Sequence, residues 1–171
     1  MSLPAIAILM PGDMGHAVGR VLREHGHRVL TCLAGRSSRT KGLAESAGLE
    51  DAGDLETLVT QADLILSILP PGQALAQAEA IAQAVEATGA TPTYVDCNAI
   101  SPKLTQAVGE VVTEAGAQYI DCGIIGLAPG KGTGTRFYVS GPDTKPMEAL
   151  DGKGIEVITL GDEIGAASGL K

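Results

Sequence analysis

Short runs of consecutive apolar residues alternate along this chain with longer segments in which apolar positions recur every three or four residues. Ala5 to Leu9 is the first such run, too short for a helix and followed at once by a glycine loop, so it reads as a strand. Segment 14–24 then places Ala17, Val18, Val21 and Leu22 at helical spacing and ends at Gly26, with Gly19 predicted to allow close packing on a sheet. The same reading predicts a strand at 28–33, a helix at 38–47 ended by Gly48, a short strand near Leu49 and a helix at 55–61 capped by Asp54. Leu64 to Leu69 is almost uninterruptedly apolar, the mark of a strand buried on both faces, and Pro70-Pro71-Gly72 turns the chain out of the sheet. A helix at 73–87, a strand at 94–96 and a helix at 102–115 follow, the last with Ser101 as its cap and Pro102 as its first residue. Tyr119 to Asp121 begins a strand that opens into a glycine-rich stretch at 123–134, and strands are predicted at 136–140 and 155–160.

This alternation predicts an α/β fold of Rossmann-like type: a doubly wound, mostly parallel sheet with right-handed crossovers and helices on both faces. No linker, repeat or low-complexity tract interrupts it, so residues 1–171 are expected to form one domain.

Composition narrows the function. A hydrophobic share of 44% with 19% charged residues describes an ordinary globular protein. The net charge of −8 and the lack of a basic stripe exclude a nucleic-acid partner. No apolar stretch approaches the roughly 18 residues of a membrane helix, and no secretory leader is visible, so a cytoplasmic protein without a membrane partner is expected. With aromatics at only 2%, the core is expected to be aliphatic. Cys32, Cys97 and Cys122 fit neither a disulfide framework nor a metal motif and read as small buried apolar residues. His16, His25 and His27 do not cluster with them; they read as solvated or capping groups, and no metal site is expected.

The candidate chemistry begins in the first loop. In a dinucleotide-binding strand–loop–helix unit, G-x-G-x-x-G lets the backbone approach a pyrophosphate that sits on the helix N-terminus. Gly12 and Gly15 hold the second and third glycine positions and Met10 holds the first, with Pro11 expected to fix φ where the turn begins. After the second strand the chain reads Ala34, Gly35, Arg36, Ser37, Ser38, Arg39, Thr40. An acidic residue there would bind the ribose hydroxyls of NAD, whereas arginines and hydroxyls suit the extra phosphate of NADP. NADP is therefore the predicted cofactor, with Arg36 the first choice for its phosphate and Arg39 the second.

Several separated segments together resemble one family. Gly12-Asp13-Met14-Gly15, Ala62 to Pro70, Asp96 to Pro102, Tyr119-Ile120-Asp121 and Gly165 to Lys171 occur in the order found in the β-hydroxyacid dehydrogenases, which include 3-hydroxyisobutyrate and 6-phosphogluconate dehydrogenases. The resemblance implies that Lys171 is the catalytic acid/base and that Asn98 contacts the substrate or the nicotinamide. It implies cofactor contacts from Met10, Pro11, Gly12, Asp13, Met14, Gly15, Gly35, Arg36, Ser37, Arg39, Leu69, Pro70 and Asn98. Ile125 and Gly126 with Lys171 fall at the substrate positions.

Where the family has D-x-x-x-S-G-G, this chain has Asp121, Ile125, Gly126 and Leu127, and Asn98-Ala99 replaces a common Ser-Thr. The substrate is accordingly expected to be a small hydroxy acid or keto acid other than 3-hydroxyisobutyrate, and the pattern is closer to a phosphogluconate-dehydrogenase-like subgroup. The family's all-helical C-terminal domain, which completes the site and forms the homodimer, is absent, so the chain is expected to be a fragment of a longer protein. Two alternatives stand beside this reading: an imine-reductase-like enzyme, against which Lys171 argues, and a non-catalytic NADP(H)-binding module.

Overall fold

In the computed structural model, which describes residues 3–131 and 134–170, the apolar runs assemble side by side into one eight-stranded sheet. The strands are β1 (Ile6–Leu9), β2 (Val29–Thr31), β3 (Glu50–Asp51), β4 (Leu64–Ser67), β5 (Thr93–Asp96), β6 (Gln118–Ile125), β7 (Arg136–Ser140) and β8 (Glu156–Thr159). They lie in the order β3-β2-β1-β4-β5-β6-β7-β8, parallel from β3 through β6. β7 then runs antiparallel to β6, and β8 runs parallel to β7. The helices are α1 (Asp13–Glu24), α2 (Ser38–Ala47), α3 (Leu55–Gln61), α4 (Ala74–Thr88), α5 (Pro102–Ala115) and α6 (Lys145–Glu148).

Two apolar layers sandwich the sheet, as its doubly wound path requires. One contains Val18 and Leu22 of α1, Ala44 and Ala47 of α2, and Met147 of α6. The other contains Leu58 of α3, Ala78, Ile81 and Val85 of α4, and Val108 and Val112 of α5. Glycine permits close approach where expected: a Cβ on Gly19 would lie 2.7 Å from Leu49 Cδ2 and 3.5 Å from Ile8 Cγ1. The helix caps also form as their residue types dictate, with Ser37, Asp54 and Ser101 side chains accepting from the N–H groups of Thr40, Thr57 and Leu104.

Several expectations are corrected. Three of the four aromatics are core residues: Tyr94 and Phe137 are fully buried, and Tyr119 stacks on Tyr94 with ring centroids 6.3 Å apart. A scarce residue type still fills the places where the two sheet faces need volume. Cys32 is only half-buried, unlike Cys97 and Cys122. His27 is buried, with Nδ1 2.9 Å from the Pro4 carbonyl. β4 stops at Ser67 because Leu69 N donates to the Asn98 side chain, and a 3-10 turn at Pro71–Gln73 delays α4 by one residue.

The sheet's two ends differ. β3 has only two residues, both acidic and exposed, and Glu50 is held by Arg28 through contacts of 2.6 and 2.8 Å. At the other end, Val157 N of β8 donates to Asp151 Oδ1 at 2.9 Å.

Candidate dinucleotide site

Because β1 and β4 are neighbours whose connections leave in opposite directions, their carboxyl ends border the crevice where ligands of open α/β sheets bind. The loop from β1 into α1 forms one wall. Met10 sits there at φ +51°, the only non-glycine residue in the left-handed region among those described. The tight turn is therefore made by Met10 itself, one residue before the proline expected to make it, at a conformational cost of about 1–2 kcal/mol.

Gly12 is the N-cap of α1 and supplies no side-chain cap, and a Cβ built on it would meet nothing within 4 Å. No Gly12 side chain caps the first-turn N–H groups, and the space where its Cβ would stand is open, as an anion site at a helix N-terminus requires. Gly15 serves packing, since its Cβ would lie 3.2 Å from Ile8 Cγ2.

An acidic residue stands beside this anion site. Asp13, the first residue of α1, accepts from Arg39 Nη2 at 2.6 Å, and both side chains are 64% exposed. The Arg39 hydrogen bond and charge hold the Asp13 carboxyl below its usual range, with Lys131 and His16 adding to the effect. Lys131 reaches this neighbourhood because the β6–β7 loop lies along α1: a Cβ on Gly130 would be 3.5 Å from Arg20 Nη2. His16 Nδ1 is 2.8 Å from the Gly12 carbonyl.

The β2–α2 turn forms the next part of the wall. Arg36 N donates to the Leu33 carbonyl, Gly35 takes φ +76°, and Ser37 is occupied as the α2 cap. Arg36 is half-buried and borders a cavity of about 240 Å³ whose other walls include Leu9, Met10, Cys32, Ala34 and Asp54. Burial, reinforced by Asp51 and Asp54, pushes the Cys32 thiol up to about 11. It remains an unreactive wall residue at neutral pH.

Across the switch point, Asn98 ties the ends of two strands together. Its Oδ1 accepts from Leu69 N at 2.7 Å, its Nδ2 donates to Ser67 Oγ at 3.1 Å, and its own N–H donates to Asp96 Oδ1 at 2.9 Å. Asn98 thereby fixes the Leu69–Pro70 turn. Asp96 is 1% exposed, and burial pushes its carboxyl up to about 6 against the opposing hydrogen bond from Asn98 N.

Sheet register continues this polar row: Ser67 pairs with Asp96, Asp96 with Asp121, and Asp121 with Ser140. The buried Asp121 carboxylate collects the closing segment. Oδ2 accepts from Gly165 N at 2.9 Å and Ser168 N at 3.0 Å, while Oδ1 accepts from Ser168 Oγ and from Thr105 Oγ1 at 3.2 Å. Ala167 N adds a bond to Ser140 Oγ at 3.0 Å.

The predicted residues fall into three groups. Met10 to Gly15, Gly35 to Ser37, Arg39, Leu69, Pro70 and Asn98 border the carboxyl ends of β1, β2, β4 and β5. Ile125 and Gly126 lie where β6 ends, with Ile125 40% exposed and Gly126 at φ +111° against the Gly134 carbonyl. Lys171 lies outside the described residues. Sequence reasoning did not find the Asp121 clamp or the Asp13–Arg39 pair, whose partners are 44–47 and 26 positions apart. Among the described residues no group of His, Cys, Asp and Glu is arranged to hold a metal, and no helix is long and apolar enough to cross a membrane.

Comparison with known proteins agrees with this geometry. A family model described as the NAD binding domain of 6-phosphogluconate dehydrogenase matches residues 5–151. An uncharacterized 28.5 kDa protein of Methanothermus fervidus is 30% identical over 143 residues, covering 84% of this chain and 53% of its own. A conserved protein of unknown function, described as structurally similar to 3-hydroxyacid dehydrogenases, superposes with a TM-score of 0.85 at 26% identity, over 96% of this chain and 60% of that one. Mycobacterium tuberculosis 3-hydroxyisobutyrate dehydrogenase, solved with L-serine, gives a TM-score of 0.78 at 22% identity, over 98% and 57%. The chain thus spans little more than half the length of these relatives.

Proposed function

Because the chain belongs to the family of the NAD binding domain of 6-phosphogluconate dehydrogenase, we propose that it is the cofactor-binding part of an NADP(H)-dependent oxidoreductase of small hydroxy acids and their keto forms. The residues fit a dinucleotide: the space above Gly12 and the uncapped first turn of α1 suit a pyrophosphate, and the cavity beside Arg36 suits the adenosine end. The choice of NADP over NAD rests on one observation. Arg36 borders that cavity at the end of β2, in a turn from Ala34 to Thr40 that carries no acidic residue.

Held by the Gly12 loop and the Arg36 turn, a nicotinamide cofactor would supply hydride chemistry at the substrate's carbinol or carbonyl carbon. The protein binds and orients around that transfer. Gly35 lets the turn present Arg36, and Ser37 fixes the start of α2 behind it. Asn98 holds the Leu69–Pro70 turn, which would flank the nicotinamide end, and its second amide hydrogen would serve a carbonyl group there. Ile125 and Gly126 border the substrate, and Lys171 Nζ takes the hydroxyl proton on oxidation and returns it on reduction. The whole chain serves as one cofactor-binding unit, and the complete enzyme is a cytoplasmic homodimer.

Fluorescence titration tests the cofactor assignment. NADPH is expected to bind at least about tenfold more tightly than NADH, and Arg36→Ala to remove most of that difference. Equal affinities in the unmodified protein would overturn the NADP assignment.

A further inference from the structure

Two arginines stand near the site, and the structure gives them different surroundings. Arg36 faces the cavity at the end of β2, whereas Arg39 turns away toward Asp13 on the first turn of α1. Asp13 suits the positive end of α1, but it also puts a carboxylate beside the N–H groups that suit a diphosphate. An exposed ion pair contributes little to stability, so the fold gains almost nothing from holding the two together. Its electrostatic consequence is larger, because an unpaired Asp13 would repel the same anion that the helix attracts.

We propose that Arg39 acts on the diphosphate end of the cofactor rather than on the 2′-phosphate, by neutralising Asp13 across the mouth of the cleft. This rests on the dinucleotide reading above and refines it. Arg36 alone discriminates NADPH from NADH, while the Asp13–Arg39 pair sets the affinity for both. Lys131, carried by the β6–β7 loop that passes Arg20 of α1, adds a second positive charge that bears on Asp13.

The test uses the unmodified protein, Asp13→Asn, Arg39→Ala and the double variant, each titrated with NADPH and NADH at low and moderate salt. Both side chains are largely exposed, and circular dichroism melts verify that every variant folds. Arg39→Ala is expected to weaken both cofactors by the same factor, about tenfold, leaving their ratio unchanged. Asp13→Asn is expected to tighten both by about threefold. The double variant should return to within about threefold of the unmodified protein, because repulsion and attraction are lost together. Selective loss of NADPH binding in Arg39→Ala, or a double variant no better than Arg39→Ala, overturns the proposal. Equal binding of the two cofactors to the unmodified protein overturns the NADP assignment instead, while the NADH titrations still decide the role of Arg39. An unmodified protein that binds neither cofactor overturns both.

Discussion

Removing the Asp121 carboxylate should free the closing segment while leaving the sheet in place. Asp121 is fully buried and accepts four hydrogen bonds, three of them from Gly165 and Ser168. A hydrogen bond to a charged group contributes about 1.5–3 kcal/mol, and a buried donor left without a partner costs about 1–3 kcal/mol. Asp121→Ala strands the N–H groups of Gly165 and Ser168 together with the Ser168 hydroxyl, while the Thr105 hydroxyl keeps Tyr119, so the segment should lose about 3–5 kcal/mol of its opening free energy. Asp121→Asn is milder. Its oxygen can still accept from both backbone groups, and the hydroxyls of Thr105 and Ser168 can rotate to accept from its amide, so only the charge assistance is lost, about 1–2 kcal/mol.

Native-state hydrogen exchange reads this directly. The Gly165 and Ser168 amides should lose protection in the order Asn, then Ala. Core amides such as Ile120 should follow only as far as global stability falls. Unchanged protection at Gly165 and Ser168 in Asp121→Ala would refute the clamp. Because Lys171 lies three positions beyond Ser168, the same variants should lower turnover in a complete enzyme without weakening NADPH binding.

Two further predictions concern buried groups. The folded-state carboxyl of Asp96 lies at about 6 rather than 3.8, so the native protein holds a proton that the unfolded chain releases between those values. Stability therefore falls as pH rises from 4 to 6, by ~3 kcal/mol at most, and Asp96→Asn should abolish that decline and gain on the unmodified protein by pH 7. Urea unfolding between pH 4 and 7 measures it, and parallel pH profiles would refute it. Among glycines, Gly109→Ala places a Cβ 2.8 Å from a Tyr119 ring that Tyr94 and Thr105 hold in place, and should cost about 1–3 kcal/mol. Gly19→Ala clashes with the tip of Leu49 at 2.7 Å, while Val29 Cγ1 and Ile8 Cγ1 stand at 3.4 and 3.5 Å, and the gain in helix propensity should bring it within about 1 kcal/mol of neutral. Thermal melts showing the reverse order would contradict the packing described.

The fold was legible wherever information is local. Apolar runs such as Leu64 to Leu66, the caps Asp54 and Ser101, and the glycine stops after α2 and α5 announce their structures within a few residues. The antiparallel return of β7 was not legible, because a glycine-rich stretch does not show in which direction its flanks will pair. Met10 concealed its role, since the loop takes a left-handed turn at a residue that rarely adopts one. The side-chain ties are the least visible. Asp121 reads as one more acid at the end of an apolar strand until the sheet register carries Gly165 and Ser168 to it.

The unequal ends of the sheet bear on how this protein behaves when crowded. A growing aggregate recruits molecules by adding strands to a free, extended backbone edge. β3 presents two residues bearing two carboxylates, too short and too charged to template another strand. β8 is long enough, but Asp151 already occupies the N–H of Val157, so an incoming strand would have to displace an aspartate. Replacing Asp151 would expose a ready seam for polymerisation in a protein whose core had scarcely changed.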